Sequence, residues 1–255
     1  MRFSVVLEAI YPNKNVFQSM LEIKRLGFHA VEYFSWADHN IHEFVTIQNA
    51  LRIQVATILG KPVSLTDPAQ RPALIAGFKQ AISVARQLGC RRIITITGPL
   101  DRVSGEDQHS SIVEGLKSVE PLLIEANMMA VLEPLNTIVD HPGYYLNQSN
   151  EAFRIIDEVN SPHVKVLYDI YHMQIMEGNI IDTITENITR IGHFHIAGVP
   201  GRHEPYIGEL NYISILNAIA KTGYQGYVGL EYKPLEEPAV GLSKFRRWVE
   251  AYGLI

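Results

Sequence analysis

Four charged residues stand where β-strands would end. Glu133 follows Met129-Ala130-Val131-Leu132, and Asp169 closes Val164-Lys165-Val166-Leu167-Tyr168. His195 lies in His193-Phe194-His195-Ile196-Ala197, and Glu231 follows Tyr227-Val228-Gly229-Leu230. A strand interior disfavours an ion because water is lost there without compensation. At the carboxyl end of a strand, facing a cleft, the same group can hold a metal or a substrate. Three carboxylates brought together would repel strongly in a partly dry cleft. A divalent cation removes that repulsion. Mostly oxygen ligands with one nitrogen suit Mn²⁺, Mg²⁺ or Co²⁺ better than a structural zinc, which favours thiolates. Taken singly, each residue also reads as a solvated strand end or a helix-cap acid; four on successive strands point to a shared site.

Other residues fall on the same side. His193 and His195 share a face, since side chains alternate along a strand; His195 is nearer the strand end and is the better ligand, while His193 reads as packed inside. His172 comes three residues after Asp169, in the loop that follows, and reads as a group that hydrogen-bonds substrate. Arg202 sits in the turn-rich Pro200-Gly201-Arg202-His203-Glu204-Pro205 and can grip a carboxylate or hydroxyl oxygen with its fork of donors; tying down its own loop is the bland reading. Trp36, after the second strand, can wall off the ligand or simply pack. His39, His42 and His109 read as solvent-side.

The elements that must position these groups alternate along the chain. Short β-branched runs occur at Phe3–Leu7, Ala30–Phe34, Ile53–Leu59, Arg92–Thr97, Met129–Pro134, Val164–Asp169, His193–Ala197 and Tyr227–Tyr232. Several are apolar almost throughout, as parallel strands covered on both faces are. Helix-period segments lie between them at Val16–Leu26, Leu74–Leu88, Ile112–Ala126, Asn150–Val159, Ile180–Ile191, Ile213–Thr222 and Val240–Tyr252. The chain has 255 residues, and the typical length of an eight-fold βα barrel is about 250. The expected fold is therefore α/β, a (β/α)8 TIM barrel, as a single domain over residues 1–255. A doubly wound open sheet competes, but its Gly-rich turn after the first strand is replaced here by Leu7-Glu8-Ala9-Ile10-Tyr11-Pro12.

Composition narrows the function. Apolar residues make up 47% and charged ones 19%, with a net charge of −5. With no Lys/Arg-rich block, neither nucleic acid nor an anionic membrane is an expected partner. The one cysteine, Cys90, excludes an intrachain disulfide and reads as a small buried hydrophobe. No signal peptide is evident and no apolar run approaches the roughly 18 residues of a membrane span. The expected setting is cytoplasmic, reduced and soluble.

Tyr168-Asp169-Ile170-Tyr171-His172-Met173-Gln174, with Met176-Glu177-Gly178 close behind, resembles the hydroxypyruvate isomerase family. So do Glu133-Pro134-Leu135-Asn136, Asp140-His141-Pro142-Gly143, Pro200-Gly201-Arg202, Gly208-Glu209-Leu210-Asn211-Tyr212 and Gly229-Leu230-Glu231-Tyr232-Lys233-Pro234. The resemblance covers nearly the whole chain. That family belongs to the xylose-isomerase-like barrels, which also include the ketose 3-epimerases. It implies a divalent metal, for which the strand-end residues Glu133, Asp169, His195 and Glu231 are the candidate ligands, and two glutamates that move a proton, here Glu133 and Glu231. Similarity to the epimerases implies substrate contacts from His172 and Arg202. At two places the chain departs from the isomerase pattern: His195 stands where those isomerases tend to carry Gln and the epimerases His, and Thr57-Ile58-Leu59-Gly60-Lys61-Pro62 replaces a characteristic loop after strand three.

The implied reaction is isomerisation of a sugar or hydroxy-keto acid through an enediolate, with a ketose 3-epimerase on free sugars as the alternative. A metal-dependent phosphodiesterase would need more ligating histidines and a basic groove, and a mere binder would have little use for two acids beside a held ligand. The resemblance also allows a homo-oligomer, since family members are often dimers or tetramers.

Overall fold

The computed structural model describes residues 1–12, 14–98 and 105–255. Its strands are β1 (Arg2–Val6), β2 (Ala30–Tyr33), β3 (Gln54–Leu59), β4 (Arg92–Thr95), β5 (Met129–Leu132), β6 (Val164–Asp169), β7 (Ile191–Ile196) and β8 (Tyr227–Leu230). Each pairs in parallel with the next, and β8 pairs with β1 through Phe3 opposite Val228 and Val5 opposite Leu230. The sheet is thus a closed barrel in chain order, a (β/α)8 TIM barrel. Closure leaves no sheet edge and places every strand's carboxyl end on one face.

Helices cover the outside. Helix Val16–Arg25 starts at Asn15, whose side chain accepts from the Gln18 N–H, and the chain leaves it through Gly27 at φ 84°. There the backbone is left-handed, which glycine adopts without a Cβ clash. The long helix Gly105–Ala126 packs beside Ser149–Val159 on one side and Arg71–Gln87 on the other. Apolar side chains fill the shell between helices and strands, and a smaller cluster of Ile94, Val131 and Leu167 fills part of the barrel interior. Among the described residues no helix is long and apolar enough to cross a membrane.

The elements differ from the sequence reading in three informative ways. Strands β4, β5 and β8 end two residues earlier than their apolar runs, so Glu133 and Glu231 stand just past the last residue of their strands. Helix Ile41–Leu51 is not evident from periodicity because only Phe44 on it is buried; Asn40 starts it by accepting from the N–H groups of His42 and Glu43. Most consequentially, His172 is not in a loop but in helix Ile170–Met176, which follows β6 without a break. Ile170, Tyr171, His172 and Met173 are all buried, so that helix shows no polar face in the sequence. Pro99 and Leu100, read as part of the loop after strand four, lie outside the described residues.

His109 also departs from its solvent-side reading. It is buried on helix Gly105–Ala126, with Nδ1 2.7 Å from Glu151 and Nε2 3.0 Å from Glu158 on the neighbouring helix. Cys90 is buried as expected; burial pushes its thiol up to about 12, which removes it as a nucleophile.

Candidate active site

Period-two alternation explains how four strands aim their ends at one point. Glu133 shares a face with Val131, Asp169 with Leu167, His195 with His193, and Glu231 with Gly229, all toward the barrel interior. Backbone pairing continues beyond the strands to hold the two glutamates: Glu133 N–H donates to Thr95 O at 3.0 Å, and Glu231 N–H to Ile196 O at 3.2 Å. Asp169 is both the last residue of β6 and the N-cap of the next helix. Its Oδ1 accepts from Tyr171 N–H at 2.9 Å, which leaves Oδ2 for the cleft. One ligand atom from each of Glu133, Asp169, His195 and Glu231 lies within 4.8 Å of all the others.

The charges in this cluster are strongly coupled. Burial, and then the nearby Glu231, raise the Glu133 carboxyl to about 8. Burial likewise raises Asp169 to about 6, although Arg202 opposes it. Burial would raise Glu231 too, but Arg202 and His195 outweigh it and hold that carboxyl down to about 2. The Arg202 Nη2 lies 2.7 Å from Glu231 Oε2 and 3.5 Å from Asp169 Oδ2. Burial favours the neutral form of His195, yet Glu32 and Glu231 on either side hold it well above its ordinary value.

The fit of these residues to a divalent cation turns on three atoms. Asp169 Oδ2, His195 Nδ1 and Glu231 Oε2 are buried and have no hydrogen-bond partner among the described residues. His195 Nδ1 is 2.9 Å from Glu231 Oε2 and 3.9 Å from Glu133 Oε1, but without hydrogen-bond geometry. Buried polar atoms are almost always paired. These three atoms converge with Glu133 on one point, as the donor set of a hard or borderline cation does, so the four residues fit such an ion.

Around the cluster lie the groups expected to meet a substrate. His172 Nδ1 accepts from the backbone N–H of Asn136 at 3.2 Å and faces Asn136 Nδ2 at 2.7 Å. A backbone N–H can only donate, so in neutral His172 the proton sits on Nε2, which lies 3.4 Å from Asp169 Oδ2. Burial, reinforced by Arg202, holds His172 well below its ordinary value and therefore neutral. Arg202 is in left-handed backbone at φ 59°, with its guanidinium 5.1 Å over the Tyr171 ring. The Tyr171 hydroxyl donates to Asp140 Oδ2 at 2.6 Å, and Asn136 Nδ2 donates to the same oxygen at 2.9 Å. Trp36 is on the same barrel face, but its indole N–H donates to Leu59 O at 2.5 Å, so its hydrogen bond is to β3 and not to the cluster.

The chain is similar to known proteins over nearly its whole length. The sequence pattern of the family described as "Xylose isomerase-like TIM barrel" matches residues 20–250. Hydroxypyruvate isomerase of Escherichia coli strain K12 is 32% identical over 261 residues, covering 99% of each chain. The chain belongs to the hydroxypyruvate isomerase family of xylose isomerase-like barrels. It is an isomerase. The 2-oxo-tetronate isomerase of Cupriavidus necator is 30% identical over 260 residues, covering 98% of each chain. Among solved structures, one described as AP endonuclease, family 2, from Brucella melitensis superposes with a TM-score of 0.93 at 25% identity, covering 97% of this chain and 98% of that one.

The isomerase contains one buried group that strand-end reasoning missed. Glu32, in the middle of β2, is completely buried and accepts from Ser4 Oγ at 2.6 Å, from Thr57 Oγ1, from His193 Nε2 at 2.9 Å and from His195 Nε2 at 3.0 Å. The signal was present: a carboxylate inside the apolar run Ala30-Val31-Glu32-Tyr33 is as anomalous as one at its end. Gly229 makes room for it, since a Cβ there would collide with Glu32 Oε1 and come within 2.6 Å of His195 Cδ2. Gly229→Ala is expected to overpack this layer, at a cost of about 1–3 kcal/mol, measurable as a lower urea midpoint with an unchanged slope.

Proposed function

We propose that this isomerase shifts a hydrogen between adjacent carbons of a short 2-oxo-3-hydroxy acid, hydroxypyruvate or a near analogue, through an enediolate. The observation that carries the reading is the convergence of Glu133 and Glu231 with Asp169 and His195 within 4.8 Å. The names of the hydroxypyruvate and 2-oxo-tetronate isomerases support the substrate class.

Glu133, Asp169, His195 and Glu231 would hold a divalent ion, Mn²⁺, Mg²⁺ or Co²⁺. When bound, it supplies Lewis acidity toward the substrate carbonyl. The protein's own residues do the rest. One of the two glutamates removes the proton from the carbon beside the carbonyl, and a glutamate returns a proton to the neighbouring carbon. General acid–base transfer needs carboxyl groups within hydrogen-bond reach of the substrate, and strands β5 and β8 deliver two from different sides of the barrel mouth. The neutral His172 donates from Nε2 to a substrate oxygen. Arg202 balances the carboxylates of the site and meets the acid's own carboxylate, and Trp36 walls the ligand on the β2 side.

His195 favours a second reading, a ketose 3-epimerase, in which the proton returns to the other face of the same carbon. Incubation in deuterated water with hydroxypyruvate, fructose and tagatose in parallel separates the two. Solvent deuterium enters carbon-bound positions of hydroxypyruvate and its isomer, and the ketoses remain unlabelled. Labelling of a ketose at C3, with hydroxypyruvate inert, replaces the isomerase reading with the epimerase one.

A further inference from the structure

Beneath the four-residue cluster lies a second group, Glu32, His193 and His195, whose ligand atoms also fall within 4.8 Å of one another. It is not a second cation site. Both Glu32 oxygens are occupied, Oε1 by Ser4 and His193 and Oε2 by Thr57 and His195. The two groups share a single residue, His195, whose two ring nitrogens point in opposite directions. Nε2 faces down to Glu32 Oε2 at 3.0 Å, and Nδ1 faces up to Glu231 at 2.9 Å and Glu133 at 3.9 Å.

An imidazole ligates only through a bare ring nitrogen, and the hydrogen bond made by the other nitrogen decides which one is bare. The geometry points to Glu32 as the positioning residue of this centre: it keeps the proton of His195 on Nε2 and so presents Nδ1 to Glu133, Asp169 and Glu231. Ser4, Thr57 and His193 hold Glu32 in turn, from β1, β3 and β7. Its two oxygens receive four donors, so the carboxylate has no freedom to rotate away. Gly229, by lacking a Cβ, leaves the space in which Glu32 and His195 meet. Glu32 itself has no free oxygen to offer the cation or the substrate. Its effect is on the orientation and proton placement of a ligand, the role that outer carboxylates take in histidine-ligated sites, where their loss lowers metal affinity by about 10–100-fold.

This inference rests on the metal-binding reading above, and the test separates the two. Mn²⁺ is titrated into the wild-type chain, the isosteric Glu32→Gln variant and a Ser111→Ala control, which removes a buried hydrogen bond to Leu65 O outside this network, by calorimetry, with circular dichroism reporting the fold. The expected result is a Kd about 10–100-fold weaker in Glu32→Gln, with Ser111→Ala close to wild type. A merely structural Glu32 would lower thermal stability in both variants and leave their Mn²⁺ affinity alike. In parallel, ¹⁵N spectra of the wild-type chain loaded with diamagnetic Zn²⁺ show a protonated Nε2 and an unprotonated Nδ1 for His195. Equal Mn²⁺ affinity in folded Glu32→Gln and wild type overturns the positioning role and leaves the metal reading standing. Absence of Mn²⁺ binding by the wild-type chain overturns both. Should Glu32→Gln not fold, the ¹⁵N result decides alone: a proton on Nδ1 with none on Nε2 overturns the inference.

Discussion

Glu133→Gln and Glu231→Gln each lower kcat by about 10²–10⁴-fold, the usual contribution of a positioned acid or base. The substitutions conserve shape and leave an amide oxygen in place, so the barrel and its melting temperature change little. Both residues lie just past the last residue of their strands, and their backbone bonds to Thr95 and Ile196 do not depend on the side chain. Removing Glu133 relieves repulsion, because its carboxyl is raised by burial and by Glu231. Removing Glu231 leaves Arg202 without its 2.7 Å partner, so this variant also weakens substrate binding through a misplaced guanidinium. Steady-state rates, with solvent deuterium exchange as an independent readout of proton abstraction, check both. Near-normal activity in either variant would remove that glutamate from the mechanism.

Removal of divalent metal has the second large effect. Dialysis against a chelator is expected to abolish turnover while leaving the far-ultraviolet circular dichroism of the barrel unchanged. Adding back Mn²⁺, Mg²⁺ or Co²⁺ restores activity. The physical reason is the set of buried atoms on Asp169, His195 and Glu231 that lack a hydrogen bond, together with the repulsion among the carboxylates of Glu133, Asp169 and Glu231, which a cation relieves. Binding to the folded chain alone stabilises it by about 2.7 kcal/mol at a concentration 100 times the Kd. For a domain of this size that corresponds to a rise in Tm of roughly 5–10 °C. Thermal melts with and without each ion measure the shift, and full activity in metal-stripped protein would refute metal dependence.

Much of the candidate site was legible because its residues violate a local rule. Asp169 and His195 interrupt apolar runs within strands, and Glu133 and Glu231 follow them directly. Such a position is tolerated where the strand opens onto a cleft. Glu32 violates the same rule in mid-strand, and that anomaly marks it as special without naming its partners, which lie on other strands. His172 reads as a loop residue in the sequence because strand β6 and helix Ile170–Met176 form one continuous buried run, in which neither period stands out. His109 carried no signal at all: its two carboxylate partners lie 42 and 49 residues away on another helix.

What the amino-acid order alone determined is the alternation of buried strands with amphipathic helices, and the placing of a charge at the carboxyl end of the last four. These follow from side-chain periods of two and 3.6, which are local properties of a chain. Only the tertiary structure decided what those charges meet. Glu32 and His195 are 163 residues apart and touch across the barrel because β8 closes on β1 and the register sets their heights. That one contact aims Nδ1 of His195 at three carboxylates. No propensity or spacing encodes it, because it arises from closure of the whole sheet.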